Sequence, residues 1–415
     1  MNNSTGYNQK YALPAGWRWV RLEEVCEINP RRPKGFTRSP DAPTTFVPMS
    51  AVDEKTGTIT NPEVVPYSKV AKGYTYFEEN DVLFAKITPC MQNGKHVIAR
   101  NLIDGIGFGT TEFHVLRPNR DVLPEWVHYF IRQPYFLQEA TGYFTGAVGQ
   151  QRVPQEFLSN YLIPLPPIKE QKRIAAKIQE LMQEVERARP ACEKQLEAAK
   201  ALSAAYLREV FESEEAKKWE RKRLGEVCEV FSGSSAPQEP KYFENGRVPF
   251  VRVQDLGRYR RTINLVDIKD FVNDVAIEEL KLIRAEKGTI LFPKSGAAIT
   301  TNNRAILGID AFIVSHLAAI KPNEEITDTL FVYYWLCLTD MVQYMENPGY
   351  PSLKLSTISK IRLPVPPLPI QRRIGVELKE KMAEVDKLRT SIERQLEAIN
   401  ALPQAILKKA FRGEL

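Results

Sequence analysis

Apolar residues return at helical spacing in two stretches of this 415-residue chain, 163–213 and 363–415. In the first, Ile174, Ile178, Leu181, Val185, Ala188, Cys192, Leu196, Ala199, Leu202 and Tyr206 advance by threes and fours with one stutter. In the second, Ile374, Leu378, Lys381, Val385, Leu388, Ile392, Leu396, Ile399, Leu402 and Ile406 take the same steps. A narrow apolar stripe on an otherwise charged helix predicts a long helix that shields its stripe against another. The shared spacing and stutter predict that the two pack on each other as an antiparallel, coiled-coil-like pair. A continuous helix over 170–211 would run roughly 60 Å at about 1.5 Å per residue, the length of about 18 base pairs of duplex. Pro190 and Pro403 fall inside these stretches. Each deletes a main-chain hydrogen bond and predicts a kink or a break.

Elsewhere short apolar runs separated by turn residues replace the long helical stripe. Thr45–Met49, Asp81–Ala85 and Phe113–Leu116 are short apolar runs bounded by Gly, Pro, Asn and Asp, which predicts strands. Trp126, Tyr129 and Phe130 recur at helical spacing within 119–138, a helix that Pro134 should end or kink. The plan returns over 214–362, with strands at Pro249–Val253, Gly288–Phe292 and Phe312–Ser315 and an aromatic helix over 327–346. Leu83-Phe84-Ala85-Lys86 answers to Leu291-Phe292-Pro293-Lys294, while most residues between such landmarks differ. The pattern predicts an α+β chain in four segments: globular domains over 1–162 and 214–362, helical regions over 163–213 and 363–415.

The joins between segments are the most faithful part of this repeat. Ile163-Pro164-Leu165-Pro166-Pro167, then Gln171, Arg173 and Ile174, returns as Leu363-Pro364-Val365-Pro366-Pro367, then Gln371, Arg373 and Ile374. Over 163–211, 21 of 49 residues match their partners 200 positions later, so the chain reads as two equivalent halves. Leu22–Ile28 and Leu224–Val230 are a second matched pair, and their Cys26 and Cys228 read as core positions.

Composition narrows the function. No run of about 18 apolar residues occurs, so no membrane span is expected. The first residues lack the basic and apolar blocks of a secretory signal, and five scattered cysteines suit free thiols, which together predict a cytoplasmic protein. The net charge of +6 permits a polyanionic partner without requiring one. A phosphate-binding loop and a dinucleotide fingerprint are both missing, and Gly105–Gly109 lacks the context of either. His96, His114, His128 and His316 stand apart from cysteine pairs, and Ser315-His316 lacks a third partner, so neither zinc nor a catalytic triad is expected.

What remains is recognition. Arg31, Arg32, Lys34 and Arg38 form a basic, non-periodic loop in the first domain, followed by Lys86 and Lys95. In the second domain Arg258, Arg260, Arg261, Lys294, Asn302, Asn303 and Arg304 occupy comparable territory. Arginine and lysine clamp phosphates, while arginine, asparagine and glutamine pair with base edges. A two-armed scaffold for protein partners, with no sequence-specific DNA role, is the competing reading of the same pattern.

With these motifs the whole chain resembles the specificity subunits of type I restriction–modification enzymes. The resemblance implies that each globular domain reads one half of a bipartite double-stranded DNA target, and that the subunit itself is not catalytic. It further implies two methylation subunits that use S-adenosylmethionine to methylate adenine at N6, and restriction subunits that use ATP and Mg. No cofactor is then expected on this chain. The helical regions would set the gap and dock the partners, through Pro166, Pro167, Ile174, Ile178, Val185, Leu196 and Leu202 and their counterparts Pro366, Pro367, Ile374, Leu378, Val385, Leu396 and Leu402.

Overall fold

The computed structural model describes residues 11–147, 149–258, 263–345 and 351–415. Packing divides the chain into two compact units, Met1–Ala191 with Leu396–Leu415, and Cys192–Gln395. Both divisions fall inside long helices. Each helix contributes one part to each unit.

In the first unit Arg18–Arg21 pairs antiparallel with Leu162–Leu165, so the two ends of the globular domain lie side by side ahead of the first long helix. One sheet runs in the order Cys26–Ile28, Phe113–Pro118, Val82–Ala85, His96–Ile98, antiparallel throughout. Val82–Ala85 is buried at every position, as an interior strand covered on both faces should be. A second sheet orders Glu63–Pro66, Pro43–Val47, Ile106–Gly109, Thr75–Glu78, with one parallel pair at its centre. The helix expected over 119–138 is two helices, Pro124–Ile131 and Pro134–Thr141. Pro134 cannot donate to the preceding turn but suits the first turn of a new helix.

The core of this unit joins Trp126, Phe130 and Phe136 to Ile174, Ile178 and Val185 of the first long helix and to Ile406, Leu407 and Phe411. Phe411 places its ring 4.5 Å from that of Trp126. Arg173 donates to the Leu415 carbonyl at 2.6 Å and Arg189 to the Asn400 amide oxygen at 3.0 Å, so these helical segments run in opposite directions.

The second unit repeats the arrangement. Arg221–Arg223 pairs with Arg362–Pro364. One sheet orders Cys228–Ser232, Leu317–Pro322, Ile290–Pro293, Ala305–Leu307 and an added Asn264–Leu265. The other orders Asp270–Val272, Val248–Val251, Ala311–Ile313, Arg284–Ala285, again with one central parallel pair. Leu207 and Phe211 share a core with Phe331, Ile374 and Leu378. Cys192 Sγ meets the Ile392 carbonyl at 3.6 Å, and Lys381 Nζ lies 4.6 Å from the Tyr206 ring, so direction is again opposed.

Neither internal proline breaks its long helix. Each helix is continuous, Ile168–Phe211 and Leu368–Ala410, with Pro190 and Pro403 inside it. Pro190 lies on an exposed stretch, where water can take up the carbonyl that its missing N–H leaves unpaired. The buried line is also narrower than the stripe. Ile178, Val185, Cys192 and Ala199 are buried at every seventh residue, as are Leu378, Val385 and Ile392. Leu181, Leu196, Leu202 and Leu396 are half-buried and Ala188 is exposed, while Leu388 and Leu402 are 47% and 43% exposed.

The proline joins explain why the repeat is so faithful there. Pro166 and Pro366 are buried, while the carbonyls of Pro167 and Pro367 start the helices by accepting from Gln171 and Gln371. The Gln171 side chain is fully buried; its Oε1 accepts from Leu123 N at 2.9 Å and its Nε2 donates to the carbonyls of Asp121 and Pro166. Gln371 does the same with Asp328 N, Ile326 and Pro366. One amide satisfies three main-chain groups where a helix meets its domain, which a buried polar joint requires.

Candidate nucleic-acid interface

Each globular domain presents a lysine at the end of its central strand, held by the main chain. Lys86 N donates to the Glu112 carbonyl at 2.9 Å, and the Lys86 carbonyl accepts from Val153 N at 2.9 Å. Lys294 N donates to the His316 carbonyl at 2.9 Å, and its carbonyl accepts from Leu353 N at 2.7 Å. The next residue bridges the returning loop in both domains, Ile87 opposite Arg152 and Ser295 opposite Ser352. Both lysines are half-buried. Burial lowers the Lys86 ammonium below its usual range, and Glu112 partly offsets this.

The side chains beside the lysine differ. In the first domain Arg152 grips Glu112 with two bonds, Nε to Oε2 at 2.8 Å and Nη2 to Oε1 at 2.7 Å, and these hold the Glu112 carboxyl below its ordinary value. In the second domain the corresponding places carry His316 and Ser352, and His316 Nδ1 meets Ser295 Oγ at 2.5 Å. Glu112 and Arg152 escaped the sequence reading, and His316 was read there without its partner Ser295, because only the fold brings 112 to 152 and 295 to 316. The signal available was the repeated strand-plus-lysine.

The other basic candidates divide sharply. Arg31 and Lys34 are exposed. Arg32 is partly committed, donating to Tyr67 Oη at 2.8 Å and the Ala71 carbonyl at 3.2 Å. Arg38 turns inward to Thr44, the Pro43 carbonyl and Asp104. Lys95 Nζ donates to the Val52 carbonyl at 3.0 Å and to that of Met49 at 3.4 Å. Asn302 binds the Cys337 carbonyl at 2.8 Å from a left-handed backbone position, and Asn303 is half-buried, its carbonyl accepting from Arg304. Arg304 is buried: it is 8% exposed, lies 4.7 Å from the Phe292 ring, and burial lowers its pKa to about 10. Arg258 ends the helix Val253–Arg258, and Arg260 and Arg261 lie outside the described residues.

Cys26 and Cys228 are buried, as the matched motifs predict, and burial pushes the Cys228 thiol up to about 12. Among the described residues no three His, Cys, Asp or Glu side chains gather as metal ligands, and no helix is long and apolar enough to cross a membrane.

Comparison with known proteins points the same way as the duplicated architecture. A family model described as the type I restriction modification DNA specificity domain matches residues 14–194 and again 216–400. The EcoEI specificity subunit of Escherichia coli is 39% identical over 173 residues, 41% of this chain and 29% of that subunit. The MjaIX specificity subunit of Methanocaldococcus jannaschii is 30% identical over 201 residues, 48% of this chain and 45% of its own length. The EcoAI specificity subunit of Escherichia coli is likewise 39% identical over 173 residues, so the match spans less than a third of either subunit's length. Among solved structures, the HsdS subunit from Thermoanaerobacter tengcongensis aligns with a TM-score of 0.69 at 26% identity, covering 98% of this chain and all of that one. A chain from a study of complex assembly and conformational transition in the type I R-M system aligns at 0.77 with 27% identity, over 98% and 100%. The EcoEI and MjaIX relatives are specificity subunits by name, and the Thermoanaerobacter tengcongensis chain is an HsdS subunit. With both of its domains matched by the family model and almost its full length matched by solved relatives, the chain belongs to the specificity subunits of type I restriction–modification systems.

Proposed function

We propose that the chain is the non-catalytic DNA-reading subunit of a methylating and restricting complex. Each domain reads one half of a bipartite duplex target through the major groove, where base edges are distinguishable. The antiparallel helical pair sets the gap between the halves. Two methylation subunits dock on the chain, bind S-adenosylmethionine and methylate adenine at N6; restriction subunits that use ATP and Mg join them in the cytoplasm. The observation that carries this reading is one frame built twice, with the same lysine and glutamine anchors and different side chains beside the lysine. Leu388 and Leu402, apolar and exposed on one otherwise charged helix, support docking of a partner helix.

The test is to map adenine methylation in cells that carry the partner subunits with and without this chain. The expected outcome is a split recognition sequence methylated only when the chain is present. Identical methylation in both cells would contradict the proposal.

A further inference from the structure

We infer that Lys86 and Lys294 each grip a backbone phosphate of duplex DNA, and that the side chains beside them, Glu112 with Arg152 and His316 with Ser295, read the neighbouring bases. This rests on the DNA-reading function proposed above and assigns its contacts residue by residue.

The geometry separates two jobs within one small site. The lysine's structural work is done by its main-chain N–H and carbonyl, which tie the central strand to the loops on either side in both domains. Its ammonium is therefore not needed for the fold, yet a lysine stands at this point in both. Glu112 is already engaged by both bonds from Arg152. Among the described residues no carboxylate lies within ion-pair distance of either ammonium. A half-buried cation with a fixed backbone, and among the described residues no carboxylate close enough to pair with it, suits an anion repeated at every nucleotide. Such a contact fixes register and carries no sequence information.

The neighbours have the opposite character. Arg152 offers a planar fork of donors and Glu112 offers acceptors, whereas a histidine–serine pair offers single, convertible groups. Arg38, Lys95 and Arg304, by contrast, are bound to carbonyls or buried within their own domains. The lysine site keeps a contact common to the two halves next to chemistry that differs between them.

The test uses the full chain assembled with its methylation subunits. Binding is measured by fluorescence anisotropy on a duplex carrying the methylated site and on a scrambled duplex, across a salt series. Lys86→Gln and Lys294→Gln should each weaken both duplexes alike, lower the slope of log affinity against log salt by about 0.9, and leave the methylated sequence unchanged. Lys86→Arg should restore the slope. Replacing Glu112 and Arg152 with the residues at the corresponding places of the second domain, as Glu112→His with Arg152→Ser, should change the bases methylated in one half-site and leave the other half intact. An unaltered salt slope in the glutamine variants, a changed sequence in them, or an unchanged half-site in the transplant overturns the inference while the wild type still discriminates. A wild-type complex that holds both duplexes equally overturns the functional proposal, and this assignment with it.

Discussion

The glutamine joint and the lysine site teach opposite lessons about the same duplication. At the joint, Gln171 and Gln371 satisfy matching main-chain groups in the two units, so nothing there distinguishes one half from the other. At the strand end the main chain is equally matched, but Glu112 and Arg152 face His316, Ser295 and Ser352 across the comparison. A buried amide with three partners tolerates no substitute, whereas side chains that face outward are free to diverge once the backbone is held. Fidelity in this chain therefore marks mechanical parts, and divergence on a fixed backbone marks the parts that read.

The comparison can be broken most forcefully at the helix ends. Phe411 and Phe211 each fill a domain core distant in sequence. Phe411→Ala should cost about 4 kcal/mol and loosen the first unit, and Phe211→Ala should do the same to the second. Hydrogen exchange resolved by region reads this directly, and loosening of the opposite unit would mean that the helices are shared differently.

Next come the joints. Gln171→Leu strands one donor and two acceptors and should destabilise its unit by about 3 kcal/mol; Gln371→Leu should match it in the other. Denaturant unfolding followed by exchange compares them, and unequal losses would break the equivalence.

Acid should separate the units by a smaller margin. The first buries His96, His114 and His128, while His316, the histidine of the second, is exposed. Burial lowers His114 to about 4 and His128 to about 3, against 6.5 for a free histidine. The unfolded chain therefore takes up protons first, and stability is lost as pH falls from 6.5 towards these values. By pH ~5 the loss should reach about 2 kcal/mol per histidine in the first unit alone. Exchange at two pH values checks it, and equal acid sensitivity in both units would contradict it.

Much of this molecule was legible in the residues. Short apolar runs bounded by turn residues located Val82–Ala85 and Ile290–Pro293, whose every position is buried, and the stripes located both long helices, because an amphipathic helix buries one face at its own period. No break follows at Pro190, since the cost of a missing N–H depends on whether water reaches the carbonyl left behind. The stripe misled at Leu388 and Leu402, where apolar spacing continues on faces this chain leaves exposed. Basic candidates were least legible. Arg304 and Arg31 look alike in sequence, and only packing against Phe292 sends one inside. Arg152 and Glu112 are 40 positions apart and meet only through the fold.

The central claim is one frame carrying two independent readers. Its most direct test is to exchange residues 214–364, so that the paired strands Arg221–Arg223 and Arg362–Pro364 move together, for the matching region of a relative with a different target. Methylation is then mapped in cells that carry the partner subunits. The account predicts a new sequence in one half-site, with the other half and the gap unchanged. A change in both halves, or in neither, would contradict it.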